Sequence, residues 1–204
     1  MFLRDPSAFI VAFPAILIAI TFHEYAHGKM ASILGDPTPA RTGRLSLNPL
    51  KHLDIYGTLM LLIVGFGWAK PVQVNPMYFK NRRKGMVLTA LAGPAMNMTL
   101  AYFAALLWAM TGAYNSMLGQ FFFYLVWFNV VLGIFNLIPI PPLDGSKILF
   151  GALPNKWVVK LAPLQNYGNI ILIILLISGI LGKILTPAIM FIMNVLNFLV
   201  GLTI

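Results

Sequence analysis

The run MVLTALAGPAMNMTLAYFAALLWAM, residues 86–110, contains no charged side chain. Wound as a helix at about 1.5 Å per residue, it outreaches the ~30 Å hydrocarbon core of a bilayer. It lacks the alternation of a barrel strand. A helix satisfies its backbone N–H and C=O groups internally, which lipid demands. MLGQFFFYLVWFNVVLGIFNLI, residues 117–138, reads the same way. A first helix is expected from about Ser7 to Leu34, kinked by Pro14 and stopped at LGDP, 34–37. YGTLMLLIVGFGW, 56–68, is too short to span and reads as re-entrant or interfacial. After it, Val72 and Val74 alternate with Gln73 and Asn75 in a short extended segment broken by prolines. Two stretches of marginal length, about 168–182 and 187–203, close the chain and meet near GKILTP. The expectation is an all-α polytopic membrane protein with about five to six hydrophobic segments. A short re-entrant or β-like stretch follows the first helix. Residues 1–204 form one membrane-embedded domain, with the core motifs within about 7–147 and the C-terminal helices at about 168–203.

Composition agrees. The chain is 59% hydrophobic and 9% charged, too little charge for a water-facing surface of ordinary size. It has no cysteine, which excludes disulfides, thiolate metal sites and cysteine nucleophiles. Arg4, Asp5 and Pro6 and the lack of a small-x-small site argue against a cleaved leader, so the first helix is expected to be retained. The net charge of +9 does not imply nucleic acid, because no basic stripe is interleaved with aromatics. The cations instead collect between the first and second spans, from Lys29 to Lys84, and after the third, at Lys147, Lys156 and Lys160. The positive-inside rule then places the N-terminus outside and the 36–85 region in the cytoplasm. The basic run KNRRKG, 80–85, reads as an anchor to anionic headgroups.

The greasy first helix ends in TFHEYAHGKM, 21–30. Glu24 is the only glutamate, and His23 and His27 are two of three histidines. Positions i and i+4 share a helix face, so His23 and His27 can grip one zinc. Glu24 beside them can take a proton from an activated water. The plain alternative is a solvated helix end at the interface. Catalytic zinc needs a third protein ligand. The remaining acids are Asp5, Asp36, Asp54 and Asp144, and the remaining histidine is His52. Asp5 falls on the outer side. Asp36 and Asp54 read as a helix stop and a turn residue, and His52 as an interfacial hydrogen-bonder. Asp144 follows a span in NLIPIPPLDGSK, where prolines and glycine oppose regular helix. Irregular backbone at that depth belongs against protein or a water-filled cavity. A simple turn aspartate is its alternative.

HEYAH in the first apolar helix and NLIPIPPLDG at the end of a later one together resemble the site-2 protease family of intramembrane zinc metalloproteases. GWAKPVQVNP at 67–76 is similar to a supporting segment of that family, and AGPAMNM at 92–98 resembles its Gly-Pro-x-x-Asn pattern. The short 70–85 connection leaves no room for a PDZ domain, so the likeness is to the compact, PDZ-free branch. The resemblance implies one catalytic Zn²⁺ held by His23, His27 and Asp144, with Glu24 as general base. It also implies a supporting or substrate-contacting role for Asn136, whose alternative is a helix-end hydrogen bond. The expected substrate is a membrane protein cut at a transmembrane helix, in a cell membrane, with the site toward the cytoplasm. GWAKPVQVN is expected to offer an edge to unwound substrate. Two alternatives stand beside this: an inactive transmembrane-helix-binding protein of the same fold, and a metal-ion transporter. The first has no need of Glu24. The second calls for polar residues along several spans, whereas here they collect at one depth.

Overall fold

The computed structural model describes residues 6–64 and 67–204. Arg4 and Asp5, used above in reading the N-terminus, lie outside the described residues, as do Gly65 and Phe66 of the short apolar stretch. Among the described residues the chain is helical and has no sheet. Four helices are long and apolar enough to cross a membrane. These are α1 (Pro6–Ile33), α4 (Arg82–Thr111), α5 (Met117–Asn136) and α9 (Ile180–Thr203). Short helices connect them: α2 (Thr38–Arg41), α3 (Ile55–Val64), α6 (Asp144–Ala152), α7 (Asn155–Leu161) and α8 (Gly168–Ile177). The segments 155–161 and 164–177 meet at a bend of 61° and together could make a fifth crossing.

Helices α1, α4 and α5 pack on one another and form the centre of the bundle. Their contacts are built on small side chains. Ala12, Ala15 and Ala19 of α1 are fully buried, as are Ala90 and Ala101 of α4. Without a hydrophobic drive inside lipid, such residues let helices approach closely enough for dispersion to hold them. Helix α9 closes a second layer, with Ile189 and Leu196 packed on Ala101, Ala104, Val126 and Val130. The outer surface stays apolar, with Phe103, Leu107, Phe191 and Phe198 exposed as a lipid-facing surface requires.

Several boundaries differ from the sequence reading. The second span begins at Arg82 rather than 86, so three cations occupy its first turn. They oppose the helix dipole, and the Asn81 side chain compensates by capping the Lys84 N–H at 3.0 Å. The last two apolar stretches are divided at Ser178–Gly179, not near GKILTP. Gly179 takes φ +72°, and Pro187 lies inside α9. Asp144 is the first residue of a regular helix, where its charge suits the dipole. The prolines before it confine the irregular backbone to the turn ahead of that helix.

Helix α3, at about 15 Å, is too short to span, as its sequence implies. The chain returns along it: a Cβ on Gly57 would meet the Trp68 carbonyl at 2.0 Å, so only glycine permits the approach. The β-like stretch amounts to one antiparallel bridge, Leu53 to Ala69. Beyond it, residues 70–75 are fastened at three points. Lys70 N–H donates to the His52 carbonyl at 2.8 Å, Val72 N–H to Glu24 Oε2 at 2.9 Å, and Asn75 N–H to Asp36 Oδ2 at 2.7 Å. Asp36 is more than a helix stop. It is fully buried, and its other oxygen accepts from Thr38 N–H at 2.9 Å. Replacing Asp36 by Ala strands both amides and should lower unfolding stability by about 3 kcal/mol. A thermal melt of the purified protein in detergent reads this as a lowered midpoint, with Asp36→Asn less affected.

Candidate active site

His23, Glu24 and His27 lie where α1 crosses α4, and a stripe of α4 one turn apart supports them. The Asn97 side chain accepts from His23 Nδ1 at 2.6 Å, and the Thr89 carbonyl accepts from His27 Nδ1 at 2.6 Å. Between those residues stands Gly93. A Cβ there would fall 2.5 Å from His27 Nε2 and 2.6 Å from His23 Cε1, so its bare backbone makes room for both rings. The order 97, 93, 89 against 23 and 27 is that of antiparallel neighbours.

The orientation of Asn97 settles the tautomers. Its Nδ2 donates to the Ala19 carbonyl at 3.1 Å and to Asn129 Oδ1 at 2.7 Å. A backbone carbonyl only accepts, so Oδ1 faces His23 and His23 Nδ1 carries the hydrogen. The Thr89 carbonyl makes the same demand of His27. A neutral imidazole so held presents its lone pair at Nε2. These two atoms are 3.0 Å apart, and Asp144 Oδ2 lies 3.2 Å from the first and 2.9 Å from the second. Lys147 Nζ, 2.8 Å from Asp144 Oδ1, favours the ionised carboxylate.

With both rings neutral, three buried acceptors converge, an arrangement that repels unless a cation, a metal ion or a proton, sits among them. A tetrahedral zinc with bonds of about 2.0–2.1 Å sets its ligands roughly 3.3 Å apart. The observed triangle is close to that size, and its two nitrogens and one oxygen are zinc donors. The three residues could hold the ion, and the carbonyl and amide behind the histidines are the outer partners such ligands use.

A cavity of about 700 Å³ opens on this triangle. Glu24, Val72, Asn136 and Lys147 share its wall with apolar residues including Met86 and Leu172. Asn136 Nδ2 donates back to the Leu132 carbonyl at 3.0 Å, so the helix-end hydrogen bond and a place at the cavity are both realised. His52 is elsewhere. It is fully buried, and its Nε2 makes the expected hydrogen bond, 2.7 Å from the Ser46 carbonyl. Asp54 caps α3 through the Gly57 N–H at 2.8 Å.

The profile of Peptidase family M50 matches residues 109–182. Three relatives each carry the name "Putative zinc metalloprotease". YwhC of Bacillus subtilis (strain 168) is 38% identical over 180 residues, covering 84% of this chain and 82% of its own. The chain belongs to peptidase family M50. Rip2 of Mycolicibacterium smegmatis is 32% identical over 185 residues, covering 86% of this chain and 70% of its own. MJ0611 of Methanocaldococcus jannaschii is 31% identical over 163 residues, covering 78% of each chain. No solved structure matches. This M50 protein is a zinc metalloprotease of the site-2 protease family and crosses the membrane several times.

Two contributors escape a reading of the sequence. Asn129 is an amide inside an apolar span, and a polar residue in such a place is itself a signal. Thr89 acts through its carbonyl, so its side chain gives no clue. Gly93→Ala should push both rings off the triangle, and Asn97→Ala should free His23 to rotate. Either change is expected to weaken zinc binding about 10–100-fold, read by competition with a chromogenic chelator.

Proposed function

We propose that the chain is an intramembrane endopeptidase that cuts membrane-spanning proteins near the cytoplasmic face. His23, His27 and Asp144 hold zinc, and Glu24 is the general base. The observation that carries this is the triangle of His23, His27 and Asp144 beside Glu24, in the C-terminal half of a spanning helix and open to a cavity. Bound there, zinc polarises the scissile carbonyl and acidifies a water.

Glu24 takes the proton of that water and delivers it to the leaving amine. Its Oε2 is held by the Val72 N–H at 2.9 Å, which fixes the carboxylate and assigns the transfer to Oε1. The apolar part of the wall suits a segment drawn from a transmembrane helix. That segment must be extended for its carbonyl to be reached, since a helix keeps its carbonyls bonded. The backbone of Val74 and the Oδ1 of Asn136 offer it polar partners at the cavity wall, with the N–H groups of Val72 and Asn75 committed to Glu24 and Asp36. Lys29, Arg41, Arg44 and Lys51 follow α1, and Lys80, Arg82, Arg83 and Lys84 precede or open α4. By the positive-inside rule these cations support a cytoplasmic position for this end of the bundle, from which water would reach the cavity.

The test is paired. Zinc content and cleavage are measured in detergent for wild type and Glu24→Gln, with one substrate bearing a transmembrane helix and one soluble unstructured peptide. One zinc per chain in both proteins, with cleavage lowered at least ~100-fold in Glu24→Gln, is expected. Preference for the membrane substrate is expected in wild type. Equal cleavage by the two proteins would remove Glu24 from the mechanism. Val72→Pro, which deletes the N–H that holds Glu24, should slow cleavage while leaving zinc bound.

A further inference from the structure

The two oxygens of Asp144 have different partners. Oδ2 faces both histidines, 3.2 and 2.9 Å away. Oδ1 lies 2.8 Å from Nζ of Lys147, one turn on along α6. The ordinary account of a Lys–Asp pair at this spacing is a solvated helix surface, where it stabilises by ~1 kcal/mol or less. Here the carboxylate is only 5% exposed, while the lysine side chain is 44% exposed and lines the cavity. Among the described residues, Lys147 is the hydrogen-bond partner of Oδ1.

This division matters for the metal. A carboxylate can ligate with one oxygen or with both. A catalytic zinc uses three protein ligands and keeps its fourth position for water or substrate. If Oδ1 turned inward, it would compete for that position. We propose that Lys147 is a positioning residue that holds Asp144 as a one-oxygen ligand and so keeps the working position open. The inference rests on the reading that His23, His27 and Asp144 hold the ion. The lysine also draws electron density from the carboxylate, which leaves the metal the stronger Lewis acid.

The test uses the full chain in detergent, loaded with cobalt(II) in place of zinc. Four-coordinate cobalt(II) absorbs visible light much more strongly than five- or six-coordinate cobalt(II), so the spectrum reads how many atoms bind. Lys147→Met should bind one cobalt per chain with its visible band weakened several-fold. Cleavage by its zinc form should fall about 10–100-fold. Lys147→Arg, which restores a cation able to grip Oδ1, should recover both. Lys147→Gln is carried in parallel, so that misfolding of one uncharged variant does not hide the result. An uncharged variant with the wild-type cobalt spectrum, whatever its activity, overturns the proposal. A wild type that takes up no cobalt and no zinc overturns the three-ligand reading beneath it, which is a separate failure.

Discussion

Two imidazole nitrogens and a carboxylate oxygen are held about 3 Å apart, largely buried, where a cavity meets the helix bundle. With the rings neutral each is an acceptor, and left to themselves the three would separate. Much of the surrounding architecture opposes that separation. Asn97 and Thr89 brace the rings from α4, Asn129 braces Asn97 from α5, and Ala19 supplies the carbonyl that decides which way the amide points. The small residues along α1 and α4 serve the same end, since a wider helix spacing would put Asn97 out of reach of His23. Helix packing and site chemistry are therefore one problem in this protein.

The membrane sharpens that problem. Polar groups away from water must find partners within the protein. The described residues meet this by concentrating polar side chains in one zone and linking them in series. The chain Asn129–Asn97–His23 leaves each amide hydrogen of Asn97 bonded, and the Asn129 Nδ2 returns to the Leu125 carbonyl. Buried networks of this kind are stable only when complete. Asp36 plays the corresponding part at the end of α1, where two amides from different segments end on its two oxygens.

What could be read in advance follows from what periodicity encodes. Apolar runs disclose spanning helices, and an i, i+4 pair of histidines discloses a shared face. Both are local patterns, and both matched. Asp144 was legible because an acid after a proline-rich helix end has few ordinary reasons to be there. The failures were non-local. Asp36 and Asp54 read as a helix stop and a turn residue, yet one is a buried tie between segments and the other a helix cap. His52 makes the hydrogen bond expected of it, but nothing in its neighbours reveals that it is fully buried. Lys147 counted only as topology charge, because nothing in its neighbours reveals which oxygen of Asp144 it faces. The end of α8 was misplaced because Gly179 and Gly182 are equally plausible breaks on paper, and only the folded chain takes φ +72° at the first.

The antiparallel match of Ala19–His23–His27 with Asn97–Gly93–Thr89 bears on how such a chain can change over evolutionary time. One residue inserted in an α-helix turns everything beyond it by about 100°. Within 19–27 or 89–97 that rotation would carry one histidine, or one of its braces, to the lipid side. Insertions in the loops between α1 and α4 leave the match untouched, so long as the ties at Asp36 and Glu24 survive. Length variation should therefore accumulate in the connections and at the lipid-facing ends of the helices, while these two facing stretches keep their spacing residue for residue.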